Sequence, residues 1–578
     1  MTTVRLTAAQ AAVTYLSRQF VETEPGPVAY FAGVWAIFGH GNVAGLGEAL
    51  HSAGAVLPTF RAHNEQGMAH AAIAFAKQSR RRRAMICTTS IGPGATNLVS
   101  AAALAHVNRL PVLFLPGDVH ASRRPDPVLQ QIEHFGDGTI SANDCLKPVC
   151  RYFDRITRPE QLLDALPRTM AILLDPAACG PVALALCQDV QTEPCDFPQE
   201  FFQPRIWRIR ASRPDPRELA DAIMLLKSAQ APLIVAGGGV LYAGAEAALA
   251  SFALESGIPV AETQGGKGAL SWDHPRNLGG IGVTGSSAAN AAARAADLIV
   301  GIGTRLQDFT TGSRALFAPD SKRVQINVAA YDVHKHGAFS VVGDAGAVIE
   351  ALRLELGGWR TPAAWTERAS AGAAEWNTLC DSAMAPAPQV LPSDAQVIGA
   401  VWRAASPDAV VVCAAGGLPG ELHKLWRTRS PGGYHVEYGY SCMGYEIAGG
   451  LGAKLAVSDR EVHVLVGDGS YLMMNSEIAT SVMLGQKLII TVLDNKGYGC
   501  INRLQVGLGC APFNNLLADT RHRELPRIDF AAHAASLGAV AENVAGLPQL
   551  EAALERARAS DRTHVVVIET DPMSTTAA

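Results

Sequence analysis

The chain has 578 residues, of which 48% are hydrophobic and 17% charged; such a chain builds sizeable cores and is excluded from the disordered class. Its 48 basic and 53 acidic residues leave a formal charge of −5, which excludes the broad basic surface that non-specific nucleic-acid binding needs. Eleven cysteines without a CxxC pair, an N-terminus (MTTVRLTAAQAAV) lacking the basic-then-apolar order of a secretory signal, and the lack of any apolar run of ~18 residues predict a cytoplasmic protein without disulfides or membrane spans.

In chain order, continuous apolar runs at 84–88, 111–115, 232–236, 298–302, 410–414, 462–466, 488–493 and 564–568 alternate with Ala-rich helical stretches. They predict parallel strands, because strands covered on both faces lose the alternation of a half-exposed sheet. Arg80–Arg83 reads as a solvated turn before the first of them. Two proline-bearing stretches read as linkers: 188–205, and 381–394 with Pro386, Pro388 and Pro392. The predicted fold class is therefore α/β, with three domains at 1–190, 205–360 and 390–572, each a mainly parallel sheet with flanking helices.

The densest chemistry lies at 461–499. A strand runs into Gly467-Asp468-Gly469-Ser470, a helix follows, and a second strand ends in Asp494-Asn495-Lys496-Gly497. Asp468 and Asn495 are 27 residues apart, the span of one β-α-β crossover, which puts both at carboxyl ends of adjacent strands. The Asp468 carboxylate, the Asn495 amide oxygen and the Gly497 carbonyl make a hard, all-oxygen site suited to Mg²⁺. Gly467 and Gly469 let the backbone approach a phosphate, and the following helix start favours the anion. Other templates fail. GGKG at 265–268 lacks the P-loop spacing, no HExxH occurs, and Met443 stands where a nucleophile elbow needs its second Gly. Tyr242 breaks the dinucleotide fingerprint that GGGV at 237–240 begins. His334 and His336 have poor metal spacing and read as surface residues.

The 461–499 pattern resembles the diphosphate-binding motif of thiamine-diphosphate enzymes, and further segments are similar to that superfamily's other signatures. HNEQGMAHAA (63–72) resembles the segment carrying its cofactor-activating glutamate, here Glu65. TTSIGPGATNLV (88–99) resembles the adjoining loop and helix of the acetolactate-synthase-like group, and EYGYSCMGYEIAGGLGA (437–453) resembles the aminopyrimidine-binding segment. Stretches at 33–47, 125–133, 151–162, 415–426 and 497–505 are similar to a branch that hydrolyses a cyclic polyol 1,2-dione in inositol catabolism, so the resemblance covers nearly the whole chain.

That resemblance implies a pyrimidine-binding domain at 1–190, a Rossmann-like central domain at 205–360 and a diphosphate- and Mg²⁺-binding domain at 390–572. It implies thiamine diphosphate and Mg²⁺ as cofactors, with the central domain empty rather than holding FAD. The implied cofactor contacts are Glu65, Gly416, Gly417, Leu418, Ser441, Met443, Gly467, Asp468, Gly469, Ser470, Asn495 and Gly497; Asp468, Asn495 and Gly497 hold the metal. Glu65, hydrogen-bonded to the pyrimidine N1′, promotes the tautomer whose N4′ takes the C2 proton, a role that needs a desolvated carboxyl. Met68 and the alanines from 69 onward supply an apolar wall for it. Met443 would wedge the cofactor into its bent form, Ser441 would offer its carbonyl to N4′, and His40, Asn64 and Gln130 are candidate catalytic contacts to substrate. The implied reaction is hydrolytic cleavage between adjacent carbonyls, giving 5-deoxy-glucuronic acid; the alternative is 2-keto acid decarboxylation or carboligation. The implied partners are a small-molecule substrate, no nucleic acid and no membrane. The implied assembly is a homodimer at minimum and a homotetramer by expectation, the pyrimidine domain of one chain facing the diphosphate domain of another. The chain departs from the family pattern in a short 356–394 region, in ending at TDPMSTTAA rather than in a Trp-rich tail, and in Asp494 where many relatives have Asn.

Overall fold

The computed structural model describes residues 2–387 and 391–576, so Pro388 of the second predicted linker lies outside the described residues. The chain forms two compact units. One comprises the residues up to Arg210 with Ile447–Ser458 and Met474–Gln486; the other comprises Ala211–Glu446, Asp459–Met473 and the residues from Lys487 onward.

The first unit is built on a seven-stranded parallel sheet. Thr59–Arg61, Phe31–Ile37, Ala84–Thr89, Val112–Phe114, Pro181–Cys187 and Gly117–Asp118 follow one another across it, and Tyr152–Ile156 also pairs with Pro181–Cys187. Ala84–Thr89 and Pro181–Cys187 are buried at every position, the environment that a continuous apolar run demands. The Glu65–Gln78 helix buries every residue from Gly67 to Ala76, five of them alanine, and packs on the Ala84–Thr89 strand.

The predicted linker at 188–205 is folded structure. Pro194–Pro198 pairs antiparallel with Thr3–Thr7, and Arg205–Trp207 pairs parallel with Gln19–Val21. Phe197 and Phe202 are buried in the core that also holds the Ala8–Leu16 helix. The prolines are tolerated because Pro194–Pro198 lies in a two-stranded ribbon, where one edge needs no N–H donors. The second predicted linker is shorter than expected, because the Ala363–Met384 helix runs into its first residues.

The second unit carries two six-stranded, all-parallel sheets. In one the order is Asn277–Gly280, Val260–Glu262, Pro232–Ala236, Leu298–Ile302, Lys322–Asn327, Phe339–Val342, which in chain order reads 3-2-1-4-5-6. In the other it is Tyr434–Val436, Val410–Cys413, Val462–Gly467, Ile489–Asp494, His564–Glu569, Val540–Val544, or 2-1-3-4-6-5. The sheet of the first unit opens with the same 2-1-3-4 order. Both therefore have a switch point between their first and third strands, where open α/β sheets bind ligands at the carboxyl ends. The α/β class with mainly parallel sheets is as expected, and all eight predicted strands occur with ends within one residue. Among the described residues no helix is long and apolar enough to cross a membrane.

Candidate active site

In the first unit, chemistry gathers at the switch point. Asn64 caps the Glu65–Gln78 helix, its Oδ1 accepting the Gly67 N–H at 3.1 Å, as expected of Asn before an apolar helical run. Glu65 occupies the first helical position, is half-buried, and accepts a hydrogen bond from Asn97 Nδ2 at 2.9 Å. A Cβ on Gly94 would lie 3.1 Å from Glu65 Oε1 and 2.6 Å from Ser90 Oγ, so the glycine admits the carboxylate. Met68, Ala69, Ala71 and Ala72 are fully buried behind it. Beneath the helix start, buried Glu477 accepts from the Thr480 hydroxyl and, at 3.3 Å, from the His63 N–H.

His40 is exposed, on a loop anchored by buried Asn42. The Asn42 Oδ1 accepts from Gly39 N–H at 2.9 Å, and its Nδ2 donates to the Thr88 hydroxyl at 2.9 Å and the Thr89 carbonyl at 2.8 Å. The Gln130 carbonyl lies where a Cβ of Gly92 would be, and Gly92 has φ +64°. His40, Asn64, Glu65 and Gln130 thus gather at the carboxyl ends of neighbouring strands. The Asn64 amide oxygen is engaged in its helix cap.

In the second unit, Asp468 follows the Val462–Gly467 strand and Asn495 follows Ile489–Asp494. The Asn495 amide oxygen lies 2.7 Å from the Gly497 carbonyl and 3.3 Å from Asp468 Oδ1. Three acceptors converge with no proton between them; turning the amide over would place its NH₂ there and make ordinary hydrogen bonds. Turned over, the amide makes an ordinary hydrogen-bonded turn; with its oxygen inward, the three groups form the hard oxygen set that a divalent cation takes. Burial pushes the Asp468 carboxyl up to about 7, and the nearby Asp494 charge adds to this, against backbone N–H groups of Asn495, Gly497 and Gly469 that favour the anion. Asp494, the departure from the family pattern, is ion-paired with Lys496 outside the oxygen set.

Around this cluster the backbone is open at some glycines and closely packed at others. A Cβ on Gly416 (φ +84°) or Gly467 would meet nothing within 4 Å, whereas one on Gly469 would meet the Tyr498 ring at 2.6 Å and Met443 Cε at 3.6 Å. A Cβ on Gly417 would meet the Arg503 guanidinium at 2.4 Å. Leu418 is buried at the start of the Leu418–Leu425 helix. Ser441 has φ +53°. The turn holding it is pinned by buried Glu437, which accepts the N–H groups of Tyr440 at 2.8 Å and Cys442 at 3.0 Å. The Ser470 hydroxyl is donated to Glu446 at 2.7 Å. Asn97, Glu437, Glu446, Glu477, Tyr498 and Arg503 were not anticipated, although two glutamates in the Gly-rich 437–453 segment were a readable signal.

An open glycine cradle beside a three-oxygen cluster, and a capped glutamate at a second switch point, are the parts a thiamine-diphosphate site requires. Models of the thiamine pyrophosphate enzyme N-terminal TPP binding domain, central domain and C-terminal TPP binding domain match residues 32–137, 219–352 and 414–569. The chain belongs to the thiamine pyrophosphate enzyme family. It is 44% identical to the 3D-(3,5/4)-trihydroxycyclohexane-1,2-dione hydrolase of Geobacillus thermodenitrificans, across 100% of this chain and 94% of the relative. It is 43% identical, with the same coverage, to proteins of that name from Bacillus cereus and Bacillus anthracis.

Proposed function

We propose that this protein is a thiamine-diphosphate- and Mg²⁺-dependent hydrolase of 3D-(3,5/4)-trihydroxycyclohexane-1,2-dione, giving 5-deoxy-glucuronic acid in inositol breakdown. The observation that carries this reading is the 44% identity over the whole chain, joined to a Glu65 and an Asp468–Asn495–Gly497 set that are both present. The domains are 1–190 for the pyrimidine, 205–360 as a central scaffold and 390–572 for diphosphate and metal.

The cofactor supplies a nucleophilic carbon and an electron sink for the C–C cleavage. Glu65, oriented by Asn97, holds and returns a proton at its carboxyl oxygen. Asp468, Asn495 and the Gly497 carbonyl hold Mg²⁺, while the backbone at Gly416, Gly417, Leu418, Gly467, Gly469 and Ser470 accommodates the diphosphate. Ser441 and Met443 meet the aminopyrimidine, and His40, Asn64 and Gln130 face the substrate. Water enters one carbonyl carbon, which leaves as carboxylate, and the neighbouring carbon is protonated.

The central domain serves as a scaffold without FAD. Gly237 and Gly239 are spent on packing, since a Cβ on either would fall about 2.5 Å from the backbone of Gly303. None of the eleven cysteines forms a disulfide, which suits a cytoplasmic setting. The assembly is a homodimer at minimum.

The test is to supply the purified protein with the dione, thiamine diphosphate and Mg²⁺ and follow acid formation, with pyruvate as the control substrate. Acid formation from the dione supports the proposal. Acetolactate release from pyruvate without dione turnover would replace it with the carboligase reading.

A further inference from the structure

Glu446 is 1% exposed and begins the Tyr445–Ala456 helix. The groups around its carboxylate are neutral donors. Its Oε1 accepts the Ala415 N–H at 3.2 Å, and its Oε2 accepts the Gly444 N–H at 3.0 Å and the Ser470 hydroxyl at 2.7 Å. The Ser470 Oγ in turn accepts from the Gly444 N–H at 2.7 Å.

These donors belong to three segments. Ala415 opens the Gly416-Gly417 loop after the Val410–Cys413 strand. Gly444 follows Met443. Ser470 lies in the first turn of the Asp468–Met473 helix, which directly follows Val462–Gly467, the strand that neighbours Val410–Cys413 across the switch point. An apolar side chain could fill the same space, but it would take the acceptor from the Ala415 N–H and the Ser470 hydroxyl and leave Gly444 N–H only its bond to Ser470 Oγ. Burial raises the Glu446 carboxyl above its usual range, and the donors offset this.

We propose that Glu446 is a positioning residue of the cofactor site, holding the Gly416-Gly417 loop, Met443 and the diphosphate turn in one arrangement. The proposal rests on the thiamine-diphosphate reading above.

The experiment titrates the parent, Glu446→Ala, Glu446→Gln and Ser470→Ala with thiamine diphosphate at fixed Mg²⁺ by tryptophan fluorescence. Each cofactor-free protein is also melted. Glu446→Ala should weaken cofactor binding about 10–100-fold, the scale for loss of a supporting group behind direct ligands. Glu446→Gln, which keeps the acceptor for Ala415, should lie between Glu446→Ala and the parent. Ser470→Ala should weaken binding less than Glu446→Ala, and the two together should fall short of additivity because they share one network. Parental affinity in every variant, with melting temperatures lowered or not, would overturn the positioning role. Should Glu446→Ala fail to fold, Glu446→Gln and Ser470→Ala decide by the same criterion. A parent that binds no thiamine diphosphate overturns the cofactor reading and this proposal with it; a parent that binds, with variants unaltered, overturns this proposal alone.

Discussion

Glu65 presents a carboxyl oriented by a single amide, Asn97, at the first position of a helix. A glutamine there keeps an acceptor for Asn97 but cannot pass a proton. Glu65→Gln should therefore keep the fold and most cofactor affinity while losing at least ~10²-fold in C2 deprotonation. Hydrogen–deuterium exchange of the bound cofactor measures this, and unchanged exchange would remove Glu65 from the role. Asp468→Ala or Asn495→Ala should abolish Mg²⁺-dependent cofactor binding, since either leaves two oxygens of the converging set; fluorescence titration with parental affinity would refute it. A third residue sets a pH dependence. Asp394 is 4% exposed, and burial pushes its carboxyl up to about 7, reinforced by Glu421 and Asp571 and opposed by Arg503. Unfolded, an aspartate titrates near ~3.9. Between those values the native state keeps a proton that the unfolded chain has lost, so stability falls as pH rises, by up to about 1.4 kcal/mol per unit, and levels off above about 7. Asp394→Asn removes this penalty, so its melting temperature relative to the parent should climb between about pH 5 and about pH 7 and then level off. An offset that stays constant across that range would contradict the assignment.

At the scale of elements, the Glu65–Gln78 helix is held by close backbone contact. A Cβ on Gly452 would lie 2.0 Å from the Ala71 carbonyl, and backbone cannot swing aside as a side chain can. Gly452→Ala should cost about 1–3 kcal/mol in stability and lower activity by displacing the helix that Glu65 begins. An unchanged melting temperature with full activity would count against it. The same elements mark what was legible from sequence. Strands such as Pro232–Ala236 and Leu298–Ile302 were readable because burial on both faces writes a continuous apolar run. Thr59–Arg61 and Val540–Val544 were not: one is three residues long, and the other alternates only weakly, with Glu542 and Asn543 inside it. Pro194–Pro198 was hidden because its prolines resemble a linker, and only its long-range pairing with Thr3–Thr7 makes it a strand. The site divides in the same way. Asp468, Asn495 and Gly497 lie within one crossover, so their spacing is local. The roles of Asn97, Glu446 and Arg503 depend on contacts from distant parts of the chain, which spacing does not encode.

For the whole molecule, the two residues proposed for the two ends of the cofactor lie in different units: Glu65 in the first and Asp468 in the second. Each unit also exposes large apolar side chains. Phe135 is 96% exposed and Leu129 74% in the first, and Leu508 is 83% and Phe513 71% in the second. A two-fold dimer in which the pyrimidine domain of one chain faces the diphosphate domain of its partner would build two equivalent sites. Such sharing is testable by complementation. Glu65→Ala and Asp468→Ala chains should each be inactive alone, but in a mixed dimer one site would draw Asp468 from the first variant and Glu65 from the second. That site is whole, and the other lacks both residues. Mixing the two under conditions of verified subunit exchange should therefore restore activity, to about one quarter of the parent if exchange is random, because half of the dimers are mixed and each has one competent site. Size-exclusion chromatography with light scattering should at the same time report a dimer or a larger even assembly. Proven exchange with no recovered activity, or a fully active monomer, would mean that each chain closes its own site.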